Sequence, residues 1–183
     1  MDYFEILGID RRLSLDVDLL QKRFYQLSRE YHPDRFASKP AADRAQAEQK
    51  SALLNDAWRT LRDPLQRIEY LLKLEGLDVV EQRTKDVPPE LLEEVFELNM
   101  ALEEARMGDE DARGELAGMR DHFLQLRQAI DAELQQLSAE YDAAPGSPKL
   151  QQIRGVMNRR SYIRNLVTEV EKELAPSGQN TPA

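Results

Sequence analysis

The chain contains no cysteine. That excludes a disulfide framework and any cysteine-ligated zinc, haem or iron–sulfur centre held by this chain. Histidine is nearly missing as well, with His32 and His122 far apart in the sequence, so no metal ligand set is expected. No apolar run approaches the roughly 18 residues that a membrane-spanning helix needs. Met1 leads into helix-forming sequence without an apolar leader, and a cytoplasmic location with no membrane partner is expected. Strand signals are almost absent, which points to an all-α fold. There is no cofactor motif, no Gly-rich nucleophile turn and no catalytic constellation, so catalytic residues and cofactors are expected to be none, and an enzyme is the least expected class.

What is present is helix-forming sequence: 183 residues, 41% hydrophobic and 32% charged, enough for one domain or two small ones. The net charge of −9 is unevenly spread. Residues 1–76 carry 13 Lys+Arg and 13 Asp+Glu, whereas residues 77–183 carry 12 and 21. Two modules with different partners are implied, and the acidic one is a poor match for nucleic-acid phosphates.

The periodicity divides the chain further. DYFEIL (2–7) reads as a short helix closed by Gly8. Asp16 can cap a helix running to Tyr31, with Leu20, Phe24, Leu27 and Tyr31 on one face. Pro33 ends that helix, because proline disfavours helical geometry in the residue before it, and Arg35–Pro40 reads as a loop. Ala41–Arg62 is helical, with Leu54, Trp58 and Leu61 as its core stripe, and Pro64 opens a helix containing Leu65, Ile68 and Leu72 that stops at Gly76. Residues 77–87 have no helical stripe and read as a linker. Beyond it, residues 88–175 contain three helices, about 90–107, 110–142 and 148–174, broken at Gly108-Asp109 and at APGSP (144–148). Short connections make neighbouring helices antiparallel, so a three-helix bundle is expected. The tail PSGQNTPA (176–183) has little to bury and is expected to be disordered.

The tripeptide His32-Pro33-Asp34 admits three readings. A metal site lacks ligands, a His–Asp catalytic pair lacks a nucleophile, and a helix-ending turn with Asp34 accepting local backbone hydrogen bonds needs nothing more. The helix before it places Lys22, Gln26 and Arg29 opposite the apolar stripe, with Arg23 to one side. Such residues are commonly just a solvated charged face.

DYFEILGI, a basic helix running into YHPDRF, and LNDAWRTLRDPLQRIEYLL closely resemble a J-domain, in which His-Pro-Asp sits in the loop of a helical hairpin. The ending RIEYLL, followed by an acidic three-helix module, makes residues 1–174 similar to the HscB family of J-proteins, co-chaperones of iron–sulfur cluster biogenesis. The resemblance implies a J-domain over 1–76 that stimulates the ATPase of a DnaK-type, HscA-like chaperone. His32, Pro33 and Asp34 match the signature, and Lys22, Arg23, Arg29 and Arg35 match the basic residues that meet an acidic chaperone surface. Gln21, Tyr25 and Gln26 stand where Lys or Arg is common, and Arg35 where Lys is commoner.

Helix 90–107 has two apolar stripes. Leu91, Val95, Leu98, Leu102 and Ala105 are spaced as a bundle core; Leu92, Phe96, Met100 and Met107 form a second stripe, rotated away and bordered by Glu93, Glu97 and Glu104. A helix in a small bundle buries one broad face, so the second stripe is expected to be partly exposed, as an interface or under a cover from the linker or first module. The resemblance implies that this face binds an IscU-like scaffold protein, delivering it to the chaperone for cluster assembly and transfer. The matching positions are Leu92, Phe96, Glu97 and Glu104, with Tyr162 from the third helix; Glu93 stands where a methionine-like residue is typical and Met100 where an acid is typical. A monomer is expected. Two alternatives remain: a J-protein serving another client, and a coiled-coil dimer built on the heptad-like Leu116, Met119, Phe123, Leu126, Ile130 and Leu137.

Overall fold

The computed structural model describes residues 1–79 and 87–175, and all regular structure among them is helical. Most of the expected linker and all of the expected disordered tail lie outside the described residues. Among the described residues there are eight α-helices: α1 (Tyr3–Leu7), α2 (Val17–Glu30), α3 (Pro33–Phe36), α4 (Ala41–Arg62), α5 (Pro64–Leu74), α6 (Leu92–Arg106), α7 (Glu110–Ala143) and α8 (Ser147–Leu174), with one 3-10 turn at Pro89–Leu91.

Local chemistry sets the helix ends of the first unit. Asp2 and Glu5 form a reciprocal capping box at the start of α1, and Gly8 closes it in the left-handed conformation at φ 64°. The positive backbone angle calls for glycine; a β-carbon there would lie 2.8 Å from a guanidinium nitrogen of Arg23, a flexible side-chain end that can move aside. The Asp16 carboxylate caps α2 through the amides of Asp18 and Leu19, and Asp63 caps α5 ahead of Pro64. The expected α2 face turns inward: Leu20 and Leu27 are buried, and the half-buried Phe24 stacks on Trp58 of α4 at 5.1 Å. In α4 the buried stripe is Ala47, Leu54, Ala57 and Leu61, with Trp58 half-buried beside it. Tyr3 stacks on Tyr70, whose hydroxyl accepts the Tyr3 amide hydrogen, and this joins α1 to α5.

Compact units do not follow chain order. The first comprises Met1–Asp78 together with Leu137–Leu150, the end of α7, the turn and the start of α8. The sequence-based division places 137–150 wholly in the second module, because Leu137 continues the stripe of Phe123 and Ile130; in the structure those residues pack with the first unit.

The second unit comprises Val79–Gln136 and Gln151–Ala183. Its core draws on α6 (Leu98, Ala101, Leu102, Ala105), α7 (Leu116, Phe123, Ile130, Leu134) and α8 (Ile153, Val156, Ile163, Val167, Val170). The heptad-like α7 stripe is thus largely buried by the chain's own helices, which leaves it unavailable as a coiled-coil seam. Arg160 with Asp131, and Arg113 with the Glu173 carbonyl, set α7 and α8 antiparallel.

Candidate functional site

The His-Pro-Asp corner is built by two adjacent helix ends. α2 stops at Glu30, with the Tyr31 amide closing its last turn onto the Leu27 carbonyl. His32 then takes extended geometry (φ −63°, ψ 131°), as a residue before proline must, and serves as N-cap of the one-turn α3, with Pro33 at its start. The expected loop at Arg35–Pro40 therefore begins with the end of a helical turn. The expected hydrogen-bonding role is also reversed. The His32 ring accepts at Nδ1 from the Asp34 amide at 3.3 Å, while the Asp34 carboxylate lies 3.6 Å from the same nitrogen. Both side chains are exposed, and Pro33 fixes the backbone angle between them. This arrangement presents an imidazole and a carboxylate to solvent from one backbone corner.

Two further contacts brace the corner. Arg35 donates from its guanidinium to the Arg29 carbonyl at 3.3 Å, and the Lys50 ammonium sits 4.7 Å above the Tyr31 ring. Lys50 is nineteen positions from Tyr31, and no spacing rule in the sequence links them. Lys22, Gln26 and Arg29 are exposed along α2, as their helical positions require. Arg23 is partly occupied elsewhere: it is half-buried, its Nε donates to the Leu7 carbonyl at 3.0 Å, and Nη1 donates to Gln26. Its main contact ties α2 to α1, so it belongs to the fold at least as much as to the basic face. Leu19 and Tyr25 are exposed apolar neighbours on α2 that charge patterns do not reveal.

The second surface lies on α6. Leu98, Ala101, Leu102 and Ala105 are buried, while Leu92, Phe96 and Met100 are exposed at i, i+4 and i+8, and Met107 extends the apolar surface beyond the helix end. Glu93, Glu97 and Glu104 are exposed beside them. An apolar strip with an acidic border suits a partner with an apolar centre and a basic rim. Glu97 also lines an open groove with Glu94 of α6 and with Gly118, Met119, His122 and Phe123 of α7.

Tyr162 does not join this surface. It is 4% exposed and packed in the core, where burial raises its pKa and Glu169 adds to the rise. Ile163, Leu166 and Val170 share the buried face of α8. One helical turn before Tyr162, the half-buried Arg159 pairs with Glu133 of α7 and reaches Glu90, in the turn leading into α6, at 3.5 Å. Only the folded bundle brings positions 90, 133 and 159 together.

Among the described residues, no group of three or more His, Cys, Asp or Glu side chains gathers as a metal site, and no helix is long and apolar enough to cross a membrane.

Comparison with known proteins follows the same division. Residues 2–70 match the DnaJ domain, and residues 87–171 match the HSCB C-terminal oligomerisation domain. Among solved structures, the chaperone HscB from Vibrio cholerae is 31% identical, with 94% of this chain and 96% of that chain covered at a TM-score of 0.60. The human co-chaperone protein HscB is 27% identical, covering 96% of this chain and 83% of that one, at a TM-score of 0.62.

Proposed function

The chain belongs to the HscB family of J-domain co-chaperones, and from that premise we propose that it is an adaptor between a chaperone ATPase and its client. The first unit stimulates ATP hydrolysis by a DnaK-type, HscA-like chaperone. The exposed basic residues of α2 steer the encounter with an acidic surface, and the His32–Pro33–Asp34 turn supplies an imidazole and a carboxylate from one backbone corner. The second unit holds an IscU-like iron–sulfur scaffold protein on the Leu92–Phe96–Met100 strip and delivers it to the chaperone. The protein performs no chemistry of its own and works in the cytoplasm.

One observation carries most weight. α6 buries Leu98, Ala101, Leu102 and Ala105, leaves Val95 half-buried, and still exposes three large apolar side chains, Leu92, Phe96 and Met100. The test is steady-state ATP hydrolysis by an HscA-like chaperone with this protein added, without and with an IscU-like scaffold. Stimulation by the protein alone, raised further by the scaffold, is expected. Absence of stimulation in both conditions would overturn the reading.

A further inference from the structure

Asp142 occupies a position that local rules disfavour. It lies in the last turn of α7, where the helix dipole is negative and where no basic residue balances it. Its tertiary surroundings explain it. One carboxylate oxygen accepts from the Leu13 amide at 2.8 Å and the other from the Ser14 amide at 2.7 Å. Two successive backbone N–H groups thus converge on one anion, an arrangement whose bonds are charge-assisted and short. Nearly 130 residues separate the partners, yet all belong to the first compact unit.

A buried cation reinforces the contact. Arg67 is 3% exposed, donates from Nη1 to the Leu61 carbonyl at 2.9 Å, and has no hydrogen-bond partner at Nε. Burial lowers the guanidinium's pKa, and the Asp142 and Asp63 charges oppose that fall. Leu137, Ser138, Tyr141 and Leu150 are buried around the same turn, and Leu13 is buried beneath the loop. Arg11 also anchors the loop at 9–16, with its guanidinium on Asp2 at 2.8 Å and 3.8 Å from Glu75. Two residues beyond Ser14 stands Asp16, the cap that starts α2.

We propose that Asp142 is a positioning residue: through it the α7–α8 turn clasps the loop that launches α2, and so fixes the helix bearing the basic face and the His-Pro-Asp corner. A residue of the C-terminal family module thereby sets the geometry of the J-domain. The clasp itself stands on the hydrogen bonds; its functional consequence rests on the co-chaperone reading above.

The experiment uses the full chain with Asp142→Asn, nearly identical in shape, and Asp142→Ala. The carboxamide keeps one acceptor and turns an N–H donor toward the second amide, so one bond is lost and a repulsion replaces it. Hydrogen exchange followed by NMR should show the Leu13 and Ser14 amides exchanging about tenfold faster or more in both variants. Amides in the middle of α4 should keep their protection. In the chaperone assay, the concentration giving half-maximal stimulation should rise several-fold while maximal stimulation stays, since His32, Pro33 and Asp34 are unchanged and a saturating chaperone can still seat the loosened helix. Unchanged exchange at Leu13 and Ser14 would refute the clasp. Faster exchange with unchanged half-saturation would show a local packing contact and refute the positioning role. Equal loss of protection throughout α4 would likewise refute it, by showing general unfolding. If wild-type protein gives no stimulation, the co-chaperone reading fails, and the exchange comparison still decides the clasp.

Discussion

Replacing Leu92 and Phe96 together with alanine should separate binding from folding. Leu92 is 55% exposed and Phe96 65% exposed. Complete burial of such side chains contributes roughly 1.5–3 kcal/mol each, so their partial burial holds the fold by about 1 kcal/mol or less apiece. If the strip receives the scaffold, these are its anchor residues, and truncating both should weaken binding by about 2–4 kcal/mol, roughly 30- to 900-fold in Kd. Leu98 and Leu102, on the same helix, are 1% and 2% exposed. Truncating each should cost about 2–5 kcal/mol of stability. Their sum is comparable with the whole stability of a small domain, ~5–15 kcal/mol, so that double variant should melt far earlier or fail to fold. Titration calorimetry with the scaffold, paired with thermal melts of both variants, reads the two effects independently. A unit of this size shifts its midpoint by roughly 4–8 °C per kcal/mol, so the contrast is easily resolved. The Leu92/Phe96 variant should also keep its stimulation of the chaperone and lose the increment that scaffold adds. Should it melt as early as the Leu98/Leu102 variant, the strip is packing and the client surface lies elsewhere. Wild-type scaffold affinity in a folded variant would refute the assignment equally.

Three further outcomes are expected. His32→Gln should abolish chaperone stimulation while leaving helix content and scaffold binding intact, because the ring is exposed and its structural hydrogen bond is a single local cap; circular dichroism with the ATPase assay checks this. Reversing the charges of Lys22 and Arg29 together should slow chaperone association and flatten its dependence on salt, and an unchanged rate at low ionic strength would mean the face is only solvated. Burial alone would push the Asp2 carboxyl up, but the amides of Glu5 and Phe4 and the Arg11 guanidinium together hold it below its ordinary value of 3.8. Its stabilising contribution is therefore present above that value and lost as pH falls through the lower folded-state value, so Asp2→Asn should lower stability at neutral pH and weaken the acid dependence of chemical denaturation.

Much of the fold was legible because helices announce their ends locally. Asp16 caps, Pro64 starts a helix, Gly8 stops one, and each of these acts within a few residues of chain. The exposure of Leu92, Phe96 and Met100 was legible for a related reason: two apolar stripes on one helix of a small bundle exceed the face it can bury. The His-Pro-Asp corner was legible in position and exposure. Its hydrogen bonding was not, because the ring and the carboxylate are equally plausible acceptors until the backbone angles of His32 are fixed.

By itself the sequence determined the family, the helical class and the identity of the apolar faces. What covers each face was decided only by tertiary packing. Tyr162 carries the composition of an interface residue and lies in the core; Leu137 continues the α7 stripe and belongs to the first unit; Arg23 reads as a charge for a partner and donates to the Leu7 carbonyl. Asp142 looks misplaced at a helix end until residues 13 and 14 are brought to it. The physical reason is one of range: capping and amphipathicity act over one or two turns of chain, whereas burial and electrostatic pairing depend on segments farther apart, more than a hundred residues for Asp142 and Leu13, which the fold alone brings within 3 Å.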